Sequence, residues 1–499
     1  MQQVTTMAAR RVRPGRPAAK TVGAGALLLG LLVGCGARPG PLDPWAQADQ
    51  ESWQISEGGS RHLAGTLSVE PPAEPAIDDA SSVEDYVRVA LERNPRLASA
   101  RQRVEAMQAR IPQATSLDDP MLQVAPFGEM AETASGEVGL MTGLSQKLPF
   151  PGKLDTRGRI AFQGVQMAVA DLREAELEVV ADTRRAFWSY YFTVRAIETT
   201  EASRELMAQL RQIAEAQYRA GARSQADVLR AGVELGQLDS ELVTLAQRRA
   251  TAEAMLNQLL DRSAGAELPE PEVVEPEQVA AALEELLDVA ALANPALDRV
   301  RDRIEQSRQR YELAKLSRWP DLTVSANYNV VEDEGLSMAA NGEDQWWLGF
   351  GVNLPIWTEK YEAAEREALA GVLEGAADLT SARNRVAFQV QEAYLEVEAQ
   401  RDLVELFGDV IIPQAEQAVE ASASGYRAGE VDFLTLVDNW RKRLSFDLMY
   451  HRALAEMEQA VADLERAVGE NVSRQEQNQN PSDREAATPP SAPQAGGEE

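Results

Sequence analysis

Cysteine is almost missing from this 499-residue chain: there is one, Cys35, alongside only two histidines, His62 and His451. A single thiol excludes an internal disulfide framework. One thiol with two imidazoles also leaves too few soft ligands for a thiolate–imidazole zinc site, and both histidines read as packing or surface residues. No apolar run reaches about 18 residues, the length of a membrane-spanning helix, and mean hydropathy is −0.32. A polytopic helical membrane protein is therefore excluded. Cations are scarce as well, with 49 Lys and Arg against 79 Asp and Glu, a net charge of −30. That balance speaks against a nucleic-acid partner, because phosphate binding relies on clustered Lys and Arg. It suits contact with cations or with basic protein surfaces. There is no phosphate-cradling glycine loop, no Ser/His/Asp set and too little histidine for acid–base work. No catalytic site and no cofactor are expected.

What is present begins at the N-terminus. Residues 1–34 carry five cations (Arg10, Arg11, Arg13, Arg16 and Lys20) and no acid, and end in an apolar stretch from Gly23 to Val33. The stretch is too short for a stop-transfer helix but has the length of a secretory core region. Leu32-Val33-Gly34-Cys35 resembles a bacterial lipobox. The resemblance implies a lipoprotein signal peptide over 1–34, thioether lipidation of Cys35 and, with Gly36 following, delivery to the outer membrane. Cleavage there would take the net charge to −35. A polar, Pro-rich linker over 35–79 follows.

The rest of the chain is one unit written twice. Asn94-Pro95 returns as Asn294-Pro295 and Pro120 as Pro320, 200 residues later. Leu148-Pro149 returns as Leu354-Pro355 at an offset of 206, and Tyr218-Arg219-Ala220-Gly221 as Tyr426-Arg427-Ala428-Gly429 at 208. Such self-similarity marks a tandem repeat. The copies fill 80–267 and 279–470, joined by a Pro/Glu-rich linker at 268–278. The segment 471–499 has the composition of a disordered tail.

Each copy predicts two strands followed by a long helical hairpin. In the second, Leu322, Val324, Ala326, Tyr328 and Val330 alternate with polar residues, and after an acidic loop Trp346, Leu348, Phe350, Val352 and Leu354 alternate with Trp347, Gly349, Gly351 and Asn353. In the first, Val138, Leu140, Thr142, Leu144 and Leu148 oppose Gly139, Met141, Gly143, Ser145 and Lys147, while Pro126 interrupts the partner strand from Met121 to Phe127. Period-2 alternation over about 10 residues fits a membrane β-strand, and a half-buried soluble sheet alternates identically. Trp346 and Trp347 are expected at an interfacial belt. Residues 153–220 contain no proline, which allows on the order of 100 Å of helix, more than a compact domain holds. The next helix carries a three–four seam through Val228, Ala231, Leu235, Leu238, Leu242 and Leu245, continued in the second copy by Phe446, Tyr450, Ala453, Met457, Ala460 and Leu464. This is coiled-coil packing. Pro413 predicts a break near Ile412.

Two strand pairs and two long hairpins behind a lipobox resemble the TolC-like outer-membrane efflux proteins over about residues 80–470. The Tyr-Arg-Ala-Gly turns and Leu148-Pro149-Phe150-Pro151-Gly152-Lys153-Leu154 carry the likeness, and the latter resembles members serving heavy-metal pumps. The resemblance implies a mainly α fold with membrane β: a homotrimer whose twelve strands close one barrel, continued by an α-helical tunnel across the periplasm. It further implies passive conduction of metal ions or small toxic compounds, an outer-membrane location, and coupling to an inner-membrane pump through a periplasmic adaptor. The strands independently demand oligomerisation, since four cannot close a barrel that needs about eight and open edges are not tolerated in hydrocarbon. A periplasmic coiled-coil adaptor is the alternative of another class, and would show one hairpin flanked by soluble β-domains. Within the tunnel class, type I protein secretion stays open.

The two turns are the expected periplasmic mouth. Gly221 and Gly429 suit left-handed helix ends, and Ser224 with Asp227, and Asp432, suit caps of the helices that follow. Tyr218, Arg219 and Gly221, with Tyr426, Arg427 and Gly429, are the expected adaptor-contact tips. The resemblance places gate aspartates just inside the second hairpin. Asp438 falls on one such position, Thr435 occupies the other, and Glu430 and Asp432 could add rim charge. A plain alternative is a helix-surface pair of Asp438 with Arg441 or Lys442, worth about 0.3–0.5 kcal/mol.

Overall fold

The computed structural model describes residues 77, 82–126, 132–271, 281–332 and 342–472. Cys35, the signal segment 1–34, the linker stretch 272–280 and the tail from 473 lie outside the described residues.

The first repeat opens with α1 (Val83–Arg93), α2 (Pro95–Gln108) and α3 (Arg110–Thr115). Ser82 caps α1 in a capping box with Asp85, and Asn94 caps α2 ahead of Pro95. Strands β1 (Met121–Pro126), β2 (Glu132–Thr133) and β3 (Gly136–Leu148) follow. Then comes α4 (Lys153–Arg219), 67 residues without interruption, and α5 (Gln225–Leu259) returns along it. The second repeat has the same order: α6 (Leu283–Ala293), α7 (Pro295–Leu316), β4 (Leu322–Val331), β5 (Gln345–Val352) and the descending helix α8 (Thr358–Glu405). A π-helical segment (Leu406–Ile411) joins α8 to α9 (Ile412–Ala428), and α10 (Phe433–Val468) returns.

The break expected at Pro413 is therefore relieved one turn upstream. Proline lacks an N–H and its ring crowds the carbonyl four residues earlier; the wider π turn absorbs both without ending the helix. Gly408 lets the Tyr450 ring come close, since a Cβ there would lie 3.3 Å from it. The helical seams pack as the spacing implies. Ala231, Leu238, Leu245, Ala252 and Leu256 are buried along α5, and Ala453, Met457, Ala460, Leu464 and Ala467 along α10.

Strands from both repeats share one antiparallel sheet in the order β1-β3-β4-β5, with β1 and β5 as open edges. Pro126 ends the edge strand β1, where its missing N–H costs no internal ladder bond. The register runs Leu122–Leu144–Ala326–Leu348 across one row and Val124–Thr142–Tyr328–Trp346 across the next. These share the apolar face, and the Thr142 hydroxyl donates to the Tyr328 carbonyl at 3.1 Å. The opposite face carries Met121–Ser145–Ser325–Gly349 and Gln123–Gly143–Asn327–Trp347. Trp346 is 72% exposed on the first face. One sheet shared by two hairpins departs from the adaptor alternative.

A polar knot joins sheet to helices. Gly152, at φ +92, turns the chain into α4. The buried Lys153 ammonium donates to the Asp321 carboxylate (2.7 Å) and the Trp319 carbonyl (2.8 Å). Phe150 stacks on Trp319 at 5.3 Å, and its N–H donates to Asp321. Burial alone would raise the Asp321 carboxyl, but Lys153, the Phe150 N–H and Lys147 outweigh it and hold the group below the usual range.

Candidate gate at the hairpin tips

Both turns are built as their glycines require. Gly221 (φ +72) and Gly429 (φ +87) adopt the left-handed conformation that ends a helix at little cost to glycine. The Ala222 N–H donates to the Gln217 carbonyl at 2.9 Å, and the Glu430 and Val431 N–H groups to the Gly425 carbonyl. Ser224 accepts from the Ala226 N–H at 3.1 Å and Asp432 from the Thr435 N–H at 2.8 Å, which caps α5 and α10. Bonds from Thr435, side chain and backbone, hold the Asp432 carboxyl below the usual range. Asp227 does not cap: its carboxylate instead accepts from the Tyr426 hydroxyl at 3.3 Å.

The repeated word Tyr-Arg-Ala-Gly thus meets two environments. Tyr218 is 45% exposed and Tyr426 only 1%. Tyr426 lies 5.3 Å from the Phe433 ring, with the Arg223 guanidinium 5.1 Å over its face. Burial, with Asp227 adding to it, pushes its phenol up to about 12, so it remains a proton donor at neutral pH. Arg223 also donates to the Val431 carbonyl at 3.0 Å. Of the six turn residues expected at the docking tips, Tyr218, Arg219, Gly221, Arg427 and Gly429 are exposed, and Tyr426 is packed between the hairpins.

Below the turns, Arg441 of α10 grips Glu234 of α5 through two hydrogen bonds, Nε to Oε2 at 2.8 Å and Nη2 to Oε1. Glu234 is buried on α5 between Ala231 and Leu238 of the same stripe, while Arg441 reaches in from the surface. Arg223, Asp227 and Glu234 of the first hairpin therefore hold Tyr426, Val431 and Arg441 of the second. Sequence reasoning missed Glu234. Its signal was an acid at i+3 from Ala231 in the buried stripe of α5, a position that demands a partner.

Asp438 lies on the exposed side of α10 with Thr435, opposite buried Phe433, Leu436, Val437 and Trp440. Its carboxylate pairs with Lys442 at 2.8 Å, both side chains more than half exposed. Arg441, the other candidate partner, is committed to Glu234. Glu430 is exposed at the rim. Among the described residues, no cluster of His, Cys, Asp or Glu is arranged to hold a metal ion, and no helix is long and apolar enough to cross a membrane.

A family model described as outer membrane efflux protein matches residues 86–262 and 286–470. The cobalt-zinc-cadmium resistance protein CzcC of Cupriavidus metallidurans is 22% identical over 405 residues, which covers 78% of this chain and 90% of that protein. The outer-membrane channel OprN superposes with a TM-score of 0.67 at 18% identity, over 78% of this chain and 90% of that one. VceC from Vibrio cholerae superposes at 0.65 and 18% identity, over 78% and 96%.

Proposed function

Since this chain belongs to the outer membrane efflux protein family, whose members are efflux ducts of the outer membrane and not enzymes, we propose that three copies form the gated exit channel of a tripartite pump for metal cations. A single observation carries the channel reading. A sheet with one apolar face and two open edges is continued by helical hairpins on the order of 100 Å long. Three such sheets give twelve strands, enough to close a barrel. The energy comes from an inner-membrane pump, reached through a periplasmic adaptor at the exposed tips Tyr218, Arg219 and Arg427. The cargo class rests on the name of the cobalt-zinc-cadmium relative and on the acidity of the chain.

The entrance is shut by the hold of the first hairpin on the second, and Asp438 lines it. Three Asp438 carboxylates around an axis favour cations. The Lys442 ammonium blunts each of them only in part, because exposed pairs are well screened. A unit charge about 4 Å from an ion in water is worth about 1 kcal/mol, or about fivefold in occupancy. Asp438→Ala should lower the cation-to-anion permeability ratio by a factor of that order in planar bilayers and weaken block by divalent cations. Unchanged selectivity and block would leave Asp438 as an ordinary surface charge.

Lipid anchoring at Cys35 is part of the same reading. Labelled palmitate should enter the native protein and be absent from Cys35→Ser, with the barrel able to keep both in the outer membrane. Equal labelling of the two would refute the anchor.

A further inference from the structure

We infer that Trp347 is a sieve at the outer mouth: three indoles, one from each copy, narrow the barrel lumen and set the largest solute that passes. The inference rests on the proposed twelve-strand barrel and adds to it a residue that selects cargo by size.

A belt at the membrane interface can hold Trp346 but not Trp347. The register sets Trp346 beside Tyr328 on the apolar face and Trp347 beside Asn327 on the other, in the row Gln123–Gly143–Asn327–Trp347. Successive residues of a strand point to opposite faces, and the pairing of β4 with β5 runs through both tryptophans without a shift. With the apolar face toward lipid, Trp347 points into the lumen. It is the one aromatic residue on that face among the described residues of the four strands. The side chain is 41% exposed.

Its height is fixed by the strand. β5 begins at Gln345 and runs toward α8, so Trp347 lies near the end of the sheet away from the helices. At about 3.3 Å per residue it sits about 7 Å in from that end. Twelve strands about 4.8 Å apart and tilted by about 40° close a wall about 24 Å across. Side chains stand off a sheet by about 5 Å, half the spacing of packed sheets, which leaves a bore of about 14 Å. Three indoles narrow it further, whereas Gly349 and Gly351, deeper on the same strand, widen it. A Cβ at Gly349 would have only Ser325 within 4 Å, and one at Gly351 only Thr323, so the indole does not fold down over this wall. Asn327 leans away from it, its amide oxygen 2.7 Å from where a Cβ of Gly143 would lie. One step outward on β4, Asn329 of the same face is buried, while Ser325 below is only half-buried, so the wall fills toward the outer end. The face of an indole attracts cations, so the narrowing falls on bulky solutes and not on metal ions.

Labelling from outside intact cells tests the sieve without opening the periplasmic entrance. Ser325→Cys places a thiol on the lumen face, one row deeper than Trp347; the native protein gives the background from Cys35. A small, positively charged thiol reagent should reach this cysteine, and maleimide-polyethylene glycols of graded size should reach it only below a cut-off. Adding Trp347→Ala should shift the cut-off to larger polymers, Trp347→Phe should shift it less, and Trp346→Ala should leave it in place. A cut-off that ignores Trp347, or moves as far for Trp346→Ala, overturns the sieve while leaving the barrel intact. A Ser325→Cys protein in the outer membrane that no reagent of any size reaches overturns the inward assignment of this face, and the sieve with it.

Discussion

Arginine in place of Val324 or Leu348 is expected to strip trimer from the outer membrane. Both residues sit on the apolar face of the sheet, Leu348 in the Leu122–Leu144–Ala326–Leu348 row and Val324 next to it, paired with Phe350. A cation on the lipid face at mid-bilayer costs about 2–4 kcal/mol. Three copies would carry that cost together. Ser325→Arg, on the opposite face, should leave assembly near normal and act on the lumen instead. Gly349 makes a poorer control on that face, because a Cβ there would meet the Ser325 hydroxyl at 2.6 Å. Trimer bands from outer-membrane fractions, run without heating, decide the matter. Equal losses for Ser325→Arg and Leu348→Arg would put the wrong face toward lipid.

Loss of Arg441 is expected to open the entrance. Arg441→Ala leaves the Glu234 carboxylate buried without its guanidinium partner, and an orphaned buried acceptor costs about 1–3 kcal/mol. That cost falls on the closed contact between hairpins, so the balance shifts toward separated tips. Tyr426→Phe removes only the 3.3 Å bond to Asp227, worth about 0.5–1.5 kcal/mol, and keeps the ring under Arg223. The expected order of leakiness is therefore Arg441→Ala above Tyr426→Phe above native. Uptake of a large hydrophilic antibiotic by cells reports it. The same low uptake in all three would move the closure away from this contact.

Features that depend on local pattern were legible in the sequence. The long helix expected over 153–220 ends at Arg219, the strands lie where the alternation sits, and Gly221 and Gly429 take the left-handed turn. Each of these is decided within a few residues. What escaped depends on residues far apart in the chain. Nothing local distinguishes Tyr218 from Tyr426, since both occur in the same four-residue word; only the Arg223 and Asp227 side chains, about 200 residues before Tyr426, bury the second. Asp227 read as a cap from its place in the first turn, and lost that role to a partner on the other hairpin. Pro413 announced a break, but the π turn that relieves it lies upstream, across Gly408, where the Tyr450 ring of the returning helix comes close. The pairing of β3 with β4 across the repeat boundary was likewise invisible to alternation, which fixes faces and not neighbours.

A gated pore should be visible in single-channel recordings of the purified full-length protein in planar bilayers. The native protein should give small, discrete, cation-favouring conductance steps, and Arg441→Ala should give larger ones of the same selectivity. Folded trimers that insert yet show no discrete steps in either form would mean that the protein is not a conducting channel.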